Sequence, residues 1–183
     1  MSSPVTLALV DAEAMRAYGR SLARVLRAGD LVVLTGDLGA GKTTLTQGIG
    51  AGLGVRGQVA SPTFVIARVH PPLAADDGTA PGPALVHVDA YRIGSLDELE
   101  TLDLDTSLED SVTVVEWGEG LVEALAADRL EIAVQRGRGD RLALAASDPA
   151  APVGPDAIDA AGGTRTVVVR AVGPRWDGVE LPA

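Results

Sequence analysis

The chain has 183 residues, 46% of them apolar but only 3% aromatic, so it is long enough for one aliphatic-cored domain and too short for two of ordinary size. It has no cysteine and two histidines, His70 and His87, which excludes disulfides, thiol nucleophiles, Cys-based zinc sites and His-rich metal centres. The net charge of −10 is concentrated in residues 97–131, where twelve carboxylates face one arginine, so an extended grip on a nucleic-acid backbone is disfavoured.

Residues 5–10 alternate as a strand. Asp11 stands where an N-cap opens a helix with Met15, Tyr18, Leu22, Val25 and Leu26 on its apolar face, and Gly29 is its expected stop. Leu31 to Leu34 is a continuous apolar run, as in a buried parallel strand, and a helix is expected over Lys42 to Leu53. Glycines 48, 50, 52 and 54 of that stretch are read as permitting close packing.

Further on, strands are expected at Val65–Val69 and Ala84–Val88, separated by a Pro/Gly-rich surface loop at 71–83. Ser95 and Glu98 form a capping box for a short helix. Val112 to Val115 is a buried strand ending at Glu116-Trp117, and Gly120 to Ala127 is expected to be helical. Leu130–Val134 and Leu142–Ala145 flank a hairpin turn that contains Arg138-Gly139-Asp140; a loop follows over 147–163, and a last strand at Thr166–Val169. The fold class is therefore α/β: a single P-loop NTPase-like domain over 1–183, with a central mixed sheet flanked by helices and an antiparallel C-terminal hairpin.

Between the second strand and the second helix lies Gly36-Asp37-Leu38-Gly39-Ala40-Gly41-Lys42-Thr43, the pattern G-x-x-x-x-G-K-[ST] in the context that gives it meaning. Backbone N–H groups from Asp37 to Thr44 can turn inward around phosphate oxygens only where no Cβ obstructs them, and the helix N-terminus adds its positive end. Lys42 is the only lysine beside fourteen arginines. Its compact ammonium can reach the β- and γ-phosphates where a planar guanidinium differs most. Thr43 offers a hydroxyl to Mg²⁺ and Thr44 one to the α-phosphate.

Magnesium held this way usually has a carboxylate at the end of a neighbouring strand. Asp89 and Glu116 both qualify, each after a strand expected beside the P-loop strand. With the sole lysine in the P-loop, the guanine-reading N-K-x-D box is impossible, so ATP is the expected nucleotide. His87 is read as a packed core histidine rather than a proton carrier.

In order, Gly36 to Thr44, Ser61-Pro62-Thr63-Phe64, His87-Val88-Asp89-Ala90-Tyr91-Arg92, Asp97-Glu98-Leu99-Glu100 and Glu116-Trp117-Gly118 resemble the TsaE (YjeE) family. The resemblance covers about residues 11–120. It implies an ATPase subunit of the bacterial machinery that makes threonylcarbamoyladenosine next to the tRNA anticodon, docking on TsaB and TsaD and meeting tRNA only through them. It further implies Thr43 and Glu116 as Mg²⁺ ligands, Ser61 to Thr63 as a switch-like loop, Asp89 as a catalytic or water-orienting carboxylate, and Trp117 as a neighbour of the nucleotide. The start of the chain lacks a secretion signal and no apolar run is long enough for a membrane helix, so a cytoplasmic location is expected. Two other readings use the same P-loop: a small-molecule kinase with a lid arginine such as Arg136 or Arg138, and a nucleotide-sensing module that does not hydrolyse.

Overall fold

The computed structural model describes residues 3–62, 66–74, 81–93, 109–123, 125–136 and 163–183. Its elements run β1 (Val5–Leu9), α1 (Ala12–Ala23), β2 (Leu31–Thr35), α2 (Lys42–Leu53), β3 (Ala67–His70), β4 (Ala84–Asp89), β5 (Ser111–Glu116), β6 (Arg129–Arg136) and β7 (Arg165–Val172). All seven strands form one sheet in the order β1-β7-β6-β2-β5-β4-β3. The four central strands, β6, β2, β5 and β4, are mutually parallel, and antiparallel neighbours close both sides. A parallel centre buried on both faces explains why β2, β4 and β5 read as apolar runs instead of alternating.

Both helices pack on the same face of the sheet. Met15, Tyr18 and Leu22 of α1 and Leu45 and Ile49 of α2 join Val32, Leu34, Val114, Leu130, Ile132 and Val167 in the main core. On the other face Leu31, Val33, Val86, Val88 and Val115 pack with Val122, Leu121 and Leu125. The glycine reading of α2 holds at three positions. A Cβ on Gly48 would meet the backbone of Arg16, one on Gly52 would come within 2.5 Å of Ala23 Cβ, and one on Gly50 would press on Val59. Gly54 instead ends the helix in a left-handed conformation, at φ 69°.

Asp11 is the N-cap of α1, accepting from the Ala14 N–H at 2.7 Å. The helix stops at Ala23, well before Gly29. Arg24 and Val25 bond back three residues, tightening the last turn, and Gly29, at φ 90°, turns the chain so that its N–H meets the Ser111 carbonyl. A larger difference concerns Gly120 to Ala127. Its described residues form successive turns: Leu121 and Val122 both donate to Gly118, Leu125 donates to Val122, and Gly120 sits at φ 80° with its N–H on the Glu123 carboxylate. Gly120 in that conformation, held by a side chain rather than a backbone carbonyl, breaks the helical ladder that the apolar spacing suggested.

The antiparallel C-terminal pair is β6 with β7, in register Arg136↔Arg165, so the described partner of β6 is the last strand and not Leu142–Ala145. Those residues, the loop at 147–163 except for Gly163, the Ser95–Glu98 helix, Arg138 and the acids at 97–108 lie outside the described residues, as does 75–80 of the earlier loop. After β7 the chain returns to α1. Trp176 is buried in the core, and the Tyr18 hydroxyl donates to the Pro182 carbonyl at 3.2 Å. No helix among the described residues is long and apolar enough to cross a membrane.

Candidate nucleotide site

β2 delivers the chain to the middle of the sheet edge where ligands bind in such folds, the carboxyl ends of parallel strands. The turn from β2 into α2 is built by three glycines with positive φ, Gly36 at 139°, Gly39 at 71° and Gly41 at 109°. Gly36 also runs against the Val134 carbonyl, where a Cβ has no room. Gly41 is the N-cap of α2, with no side-chain cap and no acid in the first turn, so the first N–H groups of α2 have no side-chain cap. Asp37 and Leu38 are exposed at the tip, whereas Gly39 to Thr44 are buried.

Lys42 opens α2. Its Nζ donates to the Gly36 carbonyl at 2.9 Å and the Asp37 carbonyl at 3.0 Å, and it lies 3.9 Å from the centre of the Trp117 ring. Trp117 reaches there because it follows β5 in a left-handed conformation, φ 62°, while its N–H still bonds to the Leu34 carbonyl of β2. Tyr91 packs on the same indole, with ring centres 5.3 Å apart.

The two carboxylates named from the sequence are register partners, Asp89 at the end of β4 and Glu116 at the end of β5. Their neighbourhoods differ. β5 borders the P-loop strand and β4 lies one strand further out, which corrects the expectation that both flank it. Glu116 is buried, and its Oε1 accepts from the Thr43 hydroxyl at 2.9 Å and faces His87 Nε2 at 2.8 Å. Asp89 caps the short turn Ala90–Arg92 by accepting the Tyr91 N–H at 3.1 Å, and its other oxygen stands 3.5 Å from Ser61 Oγ. Ser61 therefore stands beside Asp89, while Thr63 lies outside the described residues.

A hydroxyl and a carboxylate 2.9 Å apart are hard oxygen donors that suit magnesium. No group of three or more His, Cys, Asp or Glu side chains that could hold a metal ion occurs among the described residues. A cation completed by phosphate oxygens and water fits the Thr43–Glu116 pair.

Two contacts here were not readable from the sequence. His87 is fully buried, as expected of a core residue, yet it touches Glu116; strand parity with Asp89 was the available signal. Arg165, also fully buried, brings its Nε to 3.8 Å from where a Gly41 Cβ would stand. Nothing in the sequence ties it to the loop, because β7 lies more than a hundred residues further on.

A Gly-rich loop between a central parallel strand and a helix, with lysine and threonine opening that helix, defines a P-loop protein of the α/β class. Residues 9–143 match the family model described as threonylcarbamoyl adenosine biosynthesis protein TsaE, and the chain belongs to that family. It is 67% identical over 127 residues to the tRNA threonylcarbamoyladenosine biosynthesis protein TsaE of Streptomyces coelicolor, covering 69% of this chain and 82% of that one. The same-named Bacillus subtilis protein is 39% identical over 132 residues, 72% of this chain and 77% of that one. The crystal structure of Bacillus subtilis YdiB superposes with a TM-score of 0.63 at 29% identity, over 97% of this chain and 92% of that one. The chain is thus a tRNA threonylcarbamoyladenosine biosynthesis protein with a mixed α/β sheet fold.

Proposed function

We propose that the chain is the Mg²⁺-dependent ATPase of this biosynthesis, working in the cytoplasm with TsaB and TsaD and meeting tRNA only through them. The observation that carries the reading is the Thr43–Glu116 hydrogen bond beside Lys42, which joins the glycine-rich turn to a buried carboxylate on the adjacent strand. ATP phosphates would lie along the N–H groups of Asp37 to Thr44, with the Lys42 ammonium moving from the Gly36 and Asp37 carbonyls to phosphate oxygens. Thr43 and Glu116 would hold magnesium, which supplies neutralisation of charge on the β- and γ-phosphates.

Asp89 is the residue proposed to orient the attacking water, with Ser61 to Thr63 as the segment that responds to the γ-phosphate. Trp117 would lie against the nucleotide, since it already borders Lys42. Turnover by the chain alone is slow in this account, because completion of the charge-stabilising site is left to the complex. The kinase reading gains nothing from Arg136, which is the last residue of β6, in register with Arg165, rather than part of a lid.

The test is equilibrium binding of Mg·ATP to the purified chain, with Lys42→Ala for comparison. Saturable binding that Lys42→Ala abolishes is the expected result; equal binding by both would overturn the nucleotide site.

A further inference from the structure

We propose that His87 is a positioning residue for magnesium, acting through Glu116; this deepens the nucleotide reading and rests on it. A single carboxylate oxygen, Glu116 Oε1, is the meeting point of two donors, the Thr43 hydroxyl at 2.9 Å and His87 Nε2 at 2.8 Å. A carboxylate oxygen only accepts, so Nε2 carries the ring proton. Nδ1 is buried with no hydrogen-bond partner among the described residues, so Glu116 is the polar contact that fixes the ring's orientation.

The ring has no freedom to leave. His87 is fully buried in β4, between Arg68 of β3 and Val114 of β5 in the sheet register. It therefore holds Glu116 from β4, while Thr43 holds it from the first residues of α2. Because Thr43 spends its proton on Glu116, its lone pairs turn away from the carboxylate, and that leaves them available to a cation. Without His87, the Glu116 carboxylate has one anchor rather than two, and its rotamer and the Thr43 hydroxyl direction loosen together. Outer partners of metal-binding groups act in this way, and their loss typically costs roughly 10–100-fold in metal affinity.

The experiment compares ATP affinity in Mg²⁺ with ATP affinity in EDTA, the ratio being the magnesium coupling of each protein. His87→Leu should lower the ratio by about tenfold. His87→Gln, whose amide nitrogen stands near the position of imidazole Nε2, should restore most of it, while His87→Asn, whose amide is one bond shorter, should not. In a Glu116→Ala background His87→Leu should change the ratio no further, since its effect passes through that carboxylate. If His87→Leu does not fold, the contrast between Gln and Asn carries the same test.

An unchanged ratio in His87→Leu or His87→Asn, or an equal loss with Glu116 already removed, overturns the proposal while leaving the nucleotide site standing. A wild-type chain that binds ATP no more tightly with Mg²⁺ than with EDTA overturns both.

Discussion

The Lys42 ammonium rests 3.9 Å above the centre of the Trp117 indole, so the cation of the P-loop and one of only two tryptophans in the chain share one contact. Such a contact contributes on the order of 0.5–2 kcal/mol and perturbs the ring electronically. Phosphates that draw Lys42 away should change Trp117 emission. In a Trp176→Phe background, Mg·ATP is expected to give a saturable fluorescence change that Lys42→Ala lacks. A signal insensitive to nucleotide would show that Lys42 stays on the indole.

Glu116 and Asp89, though register partners, should fail differently when neutralised. Glu116→Gln keeps an oxygen near Thr43 but loses the charge that favours a cation, so Mg²⁺-dependent ATP affinity should fall by about tenfold or more. Asp89→Asn should leave affinity within about threefold while lowering turnover roughly 10²–10⁴-fold, the usual contribution of a positioned base. Binding isotherms and single-turnover hydrolysis separate the two.

Gly48→Ala tests how tightly α1 sits on α2. The added methyl meets the Arg16 backbone, which cannot yield as a side-chain tip can. A loss of about 1–3 kcal/mol in urea unfolding is expected, in line with overpacking of a tight interior. A control substitution on the exposed side of the same helix, Ala51→Ser, should move stability by less than about 0.5 kcal/mol.

His70 makes stability depend on pH. Burial pushes its pKa below the ordinary histidine value, with the neighbouring His87 and Arg68 adding to the effect, and its Nε2 has no partner among the described residues. The unfolded chain therefore takes up the proton more readily than the folded one. The stabilisation is complete above the unfolded value, about 6.5, and is lost as pH falls through the lower folded value, at up to ~1.4 kcal/mol per pH unit. Thermal unfolding of His70→Gln across pH 7.5 to 5.5 should show a shallower acid decline than the parent chain.

The central layer was legible because parallel strands buried on both faces leave unbroken apolar runs, and because the P-loop needs glycine at fixed places. The α2 bounds, Lys42–Leu53, and the Asp11 cap were readable for the same local reasons. Gly120 to Ala127 was not: its apolar spacing suits a helix, yet a left-handed Gly120 and the Glu123 carboxylate settle it into turns. Spacing along the chain also could not tell which of Asp89 and Glu116 borders β2, since strand order is decided by crossovers. His87 and Arg165 gain their neighbours through the sheet, from β5 and from the P-loop, across distances that no local pattern records.

The measurement that tests the account most directly is steady-state Mg·ATP hydrolysis by the purified chain, alone and with TsaB and TsaD, with Lys42→Ala as the blank. The account predicts slow turnover alone and stimulation by the protein pair that disappears in Lys42→Ala. Hydrolysis that the pair leaves unchanged, or that persists in Lys42→Ala, would contradict it.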